Sequence, residues 1–214
     1  MFALVNTIYL KAKWDFEFDP TETIDQTFTR GDGSKVTATM MRQTHPLEFA
    51  KGDGWQAVRL AYAGGKLSMW VLLPDQADGD PRALLDAGHL AEAESAFASR
   101  NVALSLPRWD TETSADLTSV LRELGMRRTF DGGDYRALTA NPAFEVTQVL
   151  QQANITVGED GTEAAAATAI VGETSAPAPP PNLVKFTADH PFAFAIMHDA
   201  SGVPLFEGVV ADPS

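Results

Sequence analysis

The sequence predicts an α+β chain that is dominated by antiparallel sheet. Two observations support this prediction. Most apolar segments are short runs bounded by turn residues, and few segments carry helical features. Many short strands with few helices are typical of an α+β chain rather than of an alternating α/β fold. The length of 214 residues and the apolar content of 44% fit one large domain or two small ones.

Strand patterns fill the first part of the chain. Residues 3–13 form an apolar run that is typical of a strand buried on both faces, and Asp19-Pro20 ends it. Residues 69–74 predict another buried strand, which is stopped by proline. Two hairpins are predicted as well. They join residues 27–29 to 36–40 through Gly31-Asp32-Gly33-Ser34, and residues 56–60 to 66–73 through Tyr62-Ala63-Gly64-Gly65.

Helical patterns appear twice in the rest of the chain. Residues 81–100 carry a weak apolar face at helical spacing. Residues 117–124 predict a short helix that Gly125 ends and that Ser114 or Asp116 caps. The remaining strands are predicted at residues 102–107, 146–157, 184–186, 192–198 and 205–210.

Charge and composition exclude several classes of function. The net charge is −13, with 29 acidic residues against 16 basic ones. Nucleic acids and anionic membrane surfaces bind basic faces, so neither is an expected partner. The chain has no cysteine, which excludes disulfides and thiolate chemistry. It has no apolar run of about 18 residues and no start typical of a signal peptide, so no membrane span is expected.

The four histidines do not predict an active site. A catalytic triad needs a nucleophile, an imidazole and an orienting acid that converge in space, and the sequence has no G-x-S-x-G elbow. Asp189 and His190 are adjacent, so within a strand their side chains would point to opposite faces. No H-E-x-x-H spacing is present. We therefore predict no catalytic residues, no metal site, no cofactor and no enzymatic activity.

The most informative segment is residues 158–169, G-E-D-G-T-E-A-A-A-A-T-A. Alanine favours helix, so a helix is one interpretation of this run. The β-branched Thr162 and Thr168, the glycine at 161 and the prolines that follow favour extended chain instead. Small side chains need little space, so the segment fits either an exposed loop or a tight site.

Four motifs carry a resemblance to a known family. Residues 159–168, E-D-G-T-E-A-A-A-A-T, resemble the hinge of the reactive loop of serpins, which are suicide inhibitors of serine proteases. Residues 186–194, F-T-A-D-H-P-F-A-F, are similar to the serpin signature F-x-A-D-[HR]-P-F, although Ala193 is smaller than usual. Residues 4–14, L-V-N-T-I-Y-L-K-A-K-W, and 202–210, G-V-P-L-F-E-G-V-V, also fit, and the four matches occur in family order.

The resemblance implies a serpin-like fold of several antiparallel sheets, truncated at the N-terminus. It implies one domain, residues 1–214, which corresponds to the C-terminal half of the serpin fold, with the reactive loop at about 159–182. Most helices of the family would then be missing. We expect such a chain to expose apolar faces and to inhibit poorly, to behave as a substrate, or to fold incompletely.

The resemblance also implies a mechanism. A serine protease cleaves the loop, and the loop enters the central sheet before water releases the acyl-enzyme. Thr162, Ala164, Ala166 and Thr168 would share the buried face of the new strand, and Gly161 offers a pivot. The hinge residues are Glu159, Gly161, Thr162, Glu163, Ala164, Ala165, Ala166, Ala167 and Thr168. The reactive bond is expected at Ser175-Ala176, after Thr174, within a window of residues 173–178.

Further positions match residues that control loop entry in the family. Trp14, Arg108 and Glu159 match the breach, where the loop first enters the sheet, and Arg108 is expected to pair with Glu159. An ordinary surface arginine is the alternative for Arg108. Asn6 matches the gate asparagine, but Gln151 stands where the family usually has histidine.

The resemblance implies a serine protease as the partner. A small residue before the reactive bond favours elastase-like or subtilisin-like enzymes over trypsin-like ones. A complete protein of this kind is expected to be monomeric and extracellular. Two alternatives remain open, which are a non-inhibitory serpin-like binding protein and an inactive truncated fragment. The intact small residues of the hinge favour inhibition.

Overall fold

A computed structural model describes residues 2–141, 144–162 and 182–214. These residues form an α+β fold that is mostly sheet, as predicted, and the α-helices among them are α1 (Ala87–Ala96) and α2 (Thr118–Glu123). Two 3-10 helices lie at Pro20–Glu22 and Pro81–Leu85. None of the helices in the described residues is long and apolar enough to cross a membrane.

The strands run along most of the described chain. They are β1 (Phe2–Ile8), β2 (Ala12–Lys13), β3 (Ile24–Thr29), β4 (Lys35–Gly52), β5 (Trp55–Ala61), β6 (Leu67–Pro74), β7 (Ala98–Pro107), β8 (Trp109–Asp116), β9 (Val146–Gly158), β10 (Gly161–Thr162), β11 (Val184–Thr187), β12 (Phe192–His198) and β13 (Val203–Val210). The two predicted hairpins are confirmed as β3–β4 and β5–β6, and the three predicted C-terminal strands are confirmed as β11 to β13.

The chain divides into two compact units. Unit 1 comprises Met1–Leu10 and Asp110–Ile155, and unit 2 comprises Lys11–Trp109 and Thr156–Ser214. In unit 1, β1 pairs in parallel with β9, and β8 also pairs with β9. The N-cap position of α2 is Leu117, which makes no side-chain capping bond, so neither predicted residue is the N-cap; Asp116, one residue earlier, accepts the Thr118 N–H at 2.9 Å. Gly125 follows the helix as predicted, with a φ of 103°.

The prediction of one strand buried on both faces at residues 3–13 was wrong. The run divides into β1 and β2, and β1 is exposed along almost its whole length. Leu4 and Val5 expose 49% and 62% of their surface. An apolar run is buried only where other elements cover it, and the described part of unit 1 leaves β1 open to solvent. The expectation of exposed apolar faces is therefore met at this strand.

Unit 2 is built on a large sheet with the strand order β11-β7-β4-β5-β6-β12-β13, and β3 pairs with β4 beside this path. The middle strands β6 and β12 are almost completely buried, which confirms the prediction for residues 69–74. One face of these strands packs under α1. Its core contains Trp55, Trp70, Leu72, Leu90 and Ala93.

The predicted helix at residues 81–100 is only partly correct. A 3-10 helix ends at Leu85, and α1 begins after Asp86, whose carboxylate accepts the N–H groups of Gly88 and His89. The strand β7 already begins at Ala98, so residues 98–100 pair with β4 instead of extending the helix. Pairing along β4 outweighs the weak apolar face of these residues.

Candidate functional site

The start of the predicted hinge forms a short strand in unit 2. β10 (Gly161–Thr162) pairs antiparallel with Val157 and Gly158 at the end of β9. On its other side it pairs antiparallel with β2. The first residues of the predicted loop therefore already lie between two strands. Thr162 is buried, with 1% of its surface exposed.

Gly161 is required at this position by its backbone and by its surroundings. Its φ is 143°, a conformation that residues with a side chain rarely adopt. A Cβ atom there would lie 2.2 Å from the carbonyl oxygen of Ala12 and 2.7 Å from the Cα atom of Lys13. A side chain at residue 161 would therefore push β10 away from β2.

Glu159 lies in the turn between β9 and β10 and is buried. Its Oε1 accepts a hydrogen bond of 2.8 Å from Arg108 Nε, a second from the Arg108 guanidinium and one of 2.7 Å from Thr23 Oγ1. Burial raises the pKa of the Glu159 carboxyl, but the bonds from Arg108 and Thr23 outweigh burial and hold the pKa below its ordinary value. Glu159 is therefore a buried, satisfied carboxylate.

Trp14, which follows β2, forms hydrogen bonds to the same turn. Its indole Nε1 donates to the carbonyl oxygen of Gly158 at 2.9 Å, and its backbone N–H donates to the carbonyl oxygen of Asp160 at 3.0 Å. The indole ring stacks on Tyr62, with 4.6 Å between ring centroids. Both bonds from Trp14 fix the backbone of the turn in place.

Tyr62 completes the site. Its hydroxyl lies 2.7 Å from the hydroxyl of Thr162, and both side chains are buried. Burial raises the pKa of the Tyr62 phenol, so the group stays neutral. We call the six residues the entry site: Trp14, Thr23, Tyr62, Arg108, Glu159 and Thr162.

Sequence reasoning missed Thr23 and Tyr62. Tyr62 stands in a predicted turn, 100 residues from its partner Thr162, and Thr23 is 136 residues from Glu159. No local pattern connects residues so far apart. The isolated bridge between Trp14 and Tyr62 brings the β5–β6 hairpin to the turn, and only the fold supplies it.

The two predicted gate residues lie in unit 1. Asn6 of β1 and Gln151 of β9 are directly opposite each other in the parallel register. The two residues are therefore neighbours across the paired strands, and their role as a gate stays a prediction. The remaining hinge and reactive-bond residues lie outside the described residues. They are Glu163, Ala164, Ala165, Ala166, Ala167, Thr168, Thr174, Ser175 and Ala176.

The four histidines lie at separate places in the described chain. His190 precedes β12, and its Nδ1 and Nε2 lie 2.8 Å from Asp189 Oδ1 and 2.8 Å from the Pro74 carbonyl oxygen. Burial lowers the pKa of His190, but these two acceptors outweigh burial and raise it overall. His190 therefore holds β12 to the end of β6. Among the described residues, no three potential ligands are grouped as a metal site would need.

Comparison with known proteins identifies the family. A model of the serpins, described as serine protease inhibitors, matches residues 1–213. The chain belongs to the serpin family. Among curated serpins, it is 34% identical to Serpin B12 of Mus musculus over 98% of this chain and 52% of that protein. It is 33% identical to plasminogen activator inhibitor 1 of Neovison vison, again over 98% of this chain and over 54% of that protein.

The fold agrees with this assignment. A solved serpin from the trematode Schistosoma haematobium superposes with a TM-score of 0.84 at 24% identity, over 98% of this chain and 56% of that chain. The serpin-like fold class predicted from the sequence is confirmed. The chain spans about half the length of the serpins it matches.

Proposed function

We propose that this serpin chain acts as a serine protease inhibitor whose loop is cleaved and then inserted into the sheet, and that residues 1–214 serve this function as part of one domain. The observation that supports the proposal most is β10. Its residues, Gly161 and Thr162, already lie between β9 and β2. This is the position in which an inserting strand would begin.

The direction of β10 supports insertion as well. β10 runs antiparallel to β9, whereas β1 runs parallel to β9. A strand that continued from Thr162 back along β9 would therefore be antiparallel to both β9 and β1. Such a strand would have to replace the seven register pairs that now join β1 to β9. The small residues that follow Thr162 in the sequence suit a strand entering a packed sheet.

The energy of insertion is large enough to matter. An additional strand would bond on both edges, and each bond contributes roughly 0.5–1.5 kcal/mol net. About 12 additional bonds would supply on the order of 6–18 kcal/mol. This range rivals the total stability of a typical domain, about 5–15 kcal/mol. Insertion of the cleaved loop could therefore distort an enzyme that is attached to it.

The proposed chemistry is an interrupted peptide hydrolysis. The protease serine Oγ attacks the carbonyl carbon of Ser175, and an ester to the enzyme forms as the bond to the Ala176 nitrogen breaks. The released amine of Ala176 takes the proton that the protease histidine removed from the serine. Water would normally hydrolyse the ester. Insertion of the loop that carries Ser175 prevents that step by displacing the attached enzyme.

The entry site has a defined role in this proposal. Arg108, Thr23 and Trp14 hold the turn at Glu159, so the loop always leaves β9 at the same place. Asn6 and Gln151 face each other farther along the two strands that must separate. We propose that insertion of the loop begins at Thr162 and proceeds toward that pair.

The proposed target is an elastase-like or subtilisin-like serine protease, met outside the cell. Ser175 before the reactive bond would enter a shallow specificity pocket, and Thr174 precedes it. The family description as serine protease inhibitors supports a serine protease as the partner. Secretion of the protein by its source cells, measured by fractionation, tests the location.

The test incubates this chain with pancreatic elastase and with subtilisin and resolves the products on denaturing gels. The proposal expects a covalent band at the summed mass, in low yield because such a chain is expected to inhibit poorly, and, by mass spectrometry, a cut within residues 173–178. The matched control is Thr162→Arg, which would force a charge into a buried position beside Tyr62. It should be cleaved at the same bond without the covalent band.

Two results would overturn the proposal. Clean cleavage near Ser175 with no covalent band would make this chain a substrate, in line with an inactive fragment. Resistance of the loop to both enzymes would support a non-inhibitory binding protein instead.

A further inference from the structure

We infer that Tyr62 positions the first inserted residue of the loop, because its hydroxyl holds Thr162 between β9 and β2 before any protease cleaves the chain. This inference rests on the proposed function. It adds a positioning residue to the insertion step, namely a side-chain hydrogen bond that supplements the backbone pairing of Thr162 with β9 and β2.

The Tyr62 hydroxyl is fixed by its surroundings. The backbone N–H of Tyr62 donates to the Leu67 carbonyl oxygen at 3.0 Å within the β5–β6 hairpin. The neighbouring Ala63 N–H donates to the Lys13 carbonyl oxygen at 2.9 Å, next to β10. Trp14 stacks on the phenol ring with an angle of 12° between the ring planes. The hydroxyl therefore points at residue 162 without needing to be ordered by it.

The bond is sheltered from water on both sides. Tyr62 and Thr162 each expose only 1% of their surface, and the two oxygen atoms are 2.7 Å apart. If Thr162 left its position between β9 and β2, the Tyr62 hydroxyl would lose its hydrogen-bond partner while the tyrosine remained buried. A buried hydroxyl without a partner is costly, so the seated state is favoured.

The arrangement acts on the start of insertion rather than on its end. Thr162 is seated in the uncleaved chain, and a loop inserted from this point would keep it seated. The bond would therefore contribute equally to both states. Loss of the bond would increase the fraction of molecules in which Thr162 has left its position between β9 and β2. In these molecules Thr162 must return to that position before insertion can begin. Water then has more time to release the protease.

The experiment is a double-mutant cycle read by amide hydrogen exchange. The variants are Tyr62→Phe, Thr162→Val and the double variant, and each keeps the size of the side chain it replaces. Each single change leaves one buried hydroxyl unpaired, whereas the double change leaves none. Exchange at the amides of residues 161 and 162 should rise roughly five- to hundredfold in each single variant. In the double variant it should return to within about threefold of the original chain.

The matched control is Tyr135→Phe. The Tyr135 hydroxyl donates to the Thr129 carbonyl oxygen at 2.6 Å in unit 1, so this change also removes one tyrosine hydrogen bond. It should leave exchange at residues 161 and 162 unchanged. Equal exchange in Tyr62→Phe, Tyr135→Phe and the original chain would overturn the inference. So would a double variant that exchanges faster than both single variants.

A second measurement connects the bond to inhibition. In the single variants, the ratio of covalent complex to cleaved free chain should fall, while the rate of the first cleavage stays unchanged. A merely structural effect would alter the cleavage rate as well. If the original chain forms no covalent complex, the proposed function fails, and the exchange cycle still decides whether Tyr62 seats Thr162. If Tyr62→Phe does not fold, Thr162→Val provides the same comparison.

Discussion

The middle of β9 and its C-terminal end lie in different environments. Along residues 147–154, in unit 1, no β9 residue is buried, and the paired strand β1 is exposed. At Thr156–Gly158, in unit 2, Val157 is buried and the entry site surrounds the turn that follows. We call these the open stretch and the closed end of β9. β9 is therefore held by buried contacts at the end where the loop begins, and it is not buried along the stretch where the loop would insert.

This difference indicates how a sheet can accept an inserted strand. A sheet that accepts a new strand must separate two existing ones, which is easier where few side chains pack across them. The same sheet must direct the loop, which requires a fixed starting point. The closed end would fix the start of insertion, and in the open stretch β1 and β9 are paired in register while no β9 residue is buried. The predictions below test this contrast.

The largest expected effect is at Trp14, which exposes only 2% of its surface. Trp14→Ala removes the stack on Tyr62 and the bond to the Gly158 carbonyl, so it should lower the free energy of unfolding by about 3–5 kcal/mol. Chemical denaturation followed by circular dichroism measures this. Trp14→Phe is the control and should lose much less, because it keeps a ring over Tyr62. Equal losses in the two variants would contradict a role for the stack.

A matched pair of valines compares the open stretch with the closed end directly. Val157 at the closed end exposes 1% of its surface, and Val5, which pairs with β9 in the open stretch, exposes 62%. Val157→Ala should lower the free energy of unfolding by roughly 2–3 kcal/mol. Val5→Ala should lower it by less than about 0.5 kcal/mol. Similar losses of stability in urea titrations of the two variants would remove the contrast between the open stretch and the closed end.

The ion pair at Glu159 should show a smaller effect that depends on pH. The pKa of Glu159 is lowered in the folded state, so its contribution is fully present above the ordinary value of 4.5 and is lost as the pH falls through the folded pKa. Arg108→Gln should cost about 1–2 kcal/mol at neutral pH, because Arg108 is half exposed. The difference from the original chain should shrink in acid. A difference that stayed constant with pH would show that Glu159 is not the partner that matters.

The contribution of His190 to stability should depend on pH in the opposite direction to that of Glu159. Its pKa is raised above the ordinary value of 6.5, so its contribution is fully present below that value and is lost as the pH rises through the folded pKa. Between pH 6 and pH 9 the original chain should lose stability that His190→Arg retains, because arginine stays charged and can still donate to Asp189 and Pro74. Thermal unfolding across this range measures it. Parallel pH profiles of the two proteins would contradict the assignment.

The sequence predicted most of the strands, because β-branched and apolar runs bounded by turns depend on local chemistry, but it missed β8, whose residues are mostly polar. It did not predict that β1 is exposed, because burial depends on what covers a strand and not on the strand itself. The resemblance brought Arg108 and Glu159 together, and the structure contains that ion pair. Tyr62 was not predicted, because a buried tyrosine in a tight turn has no sequence signal that reveals its distant partner.

The most direct test of the central claim compares thermal stability before and after the loop is cut. A protease that cleaves within residues 173–178 is removed, and the melting temperatures of the intact and cleaved chains are measured. Insertion between β1 and β9 predicts that the cleaved chain melts higher, by on the order of 10 °C or more. A cleaved chain that melts at the same or a lower temperature would contradict loop insertion.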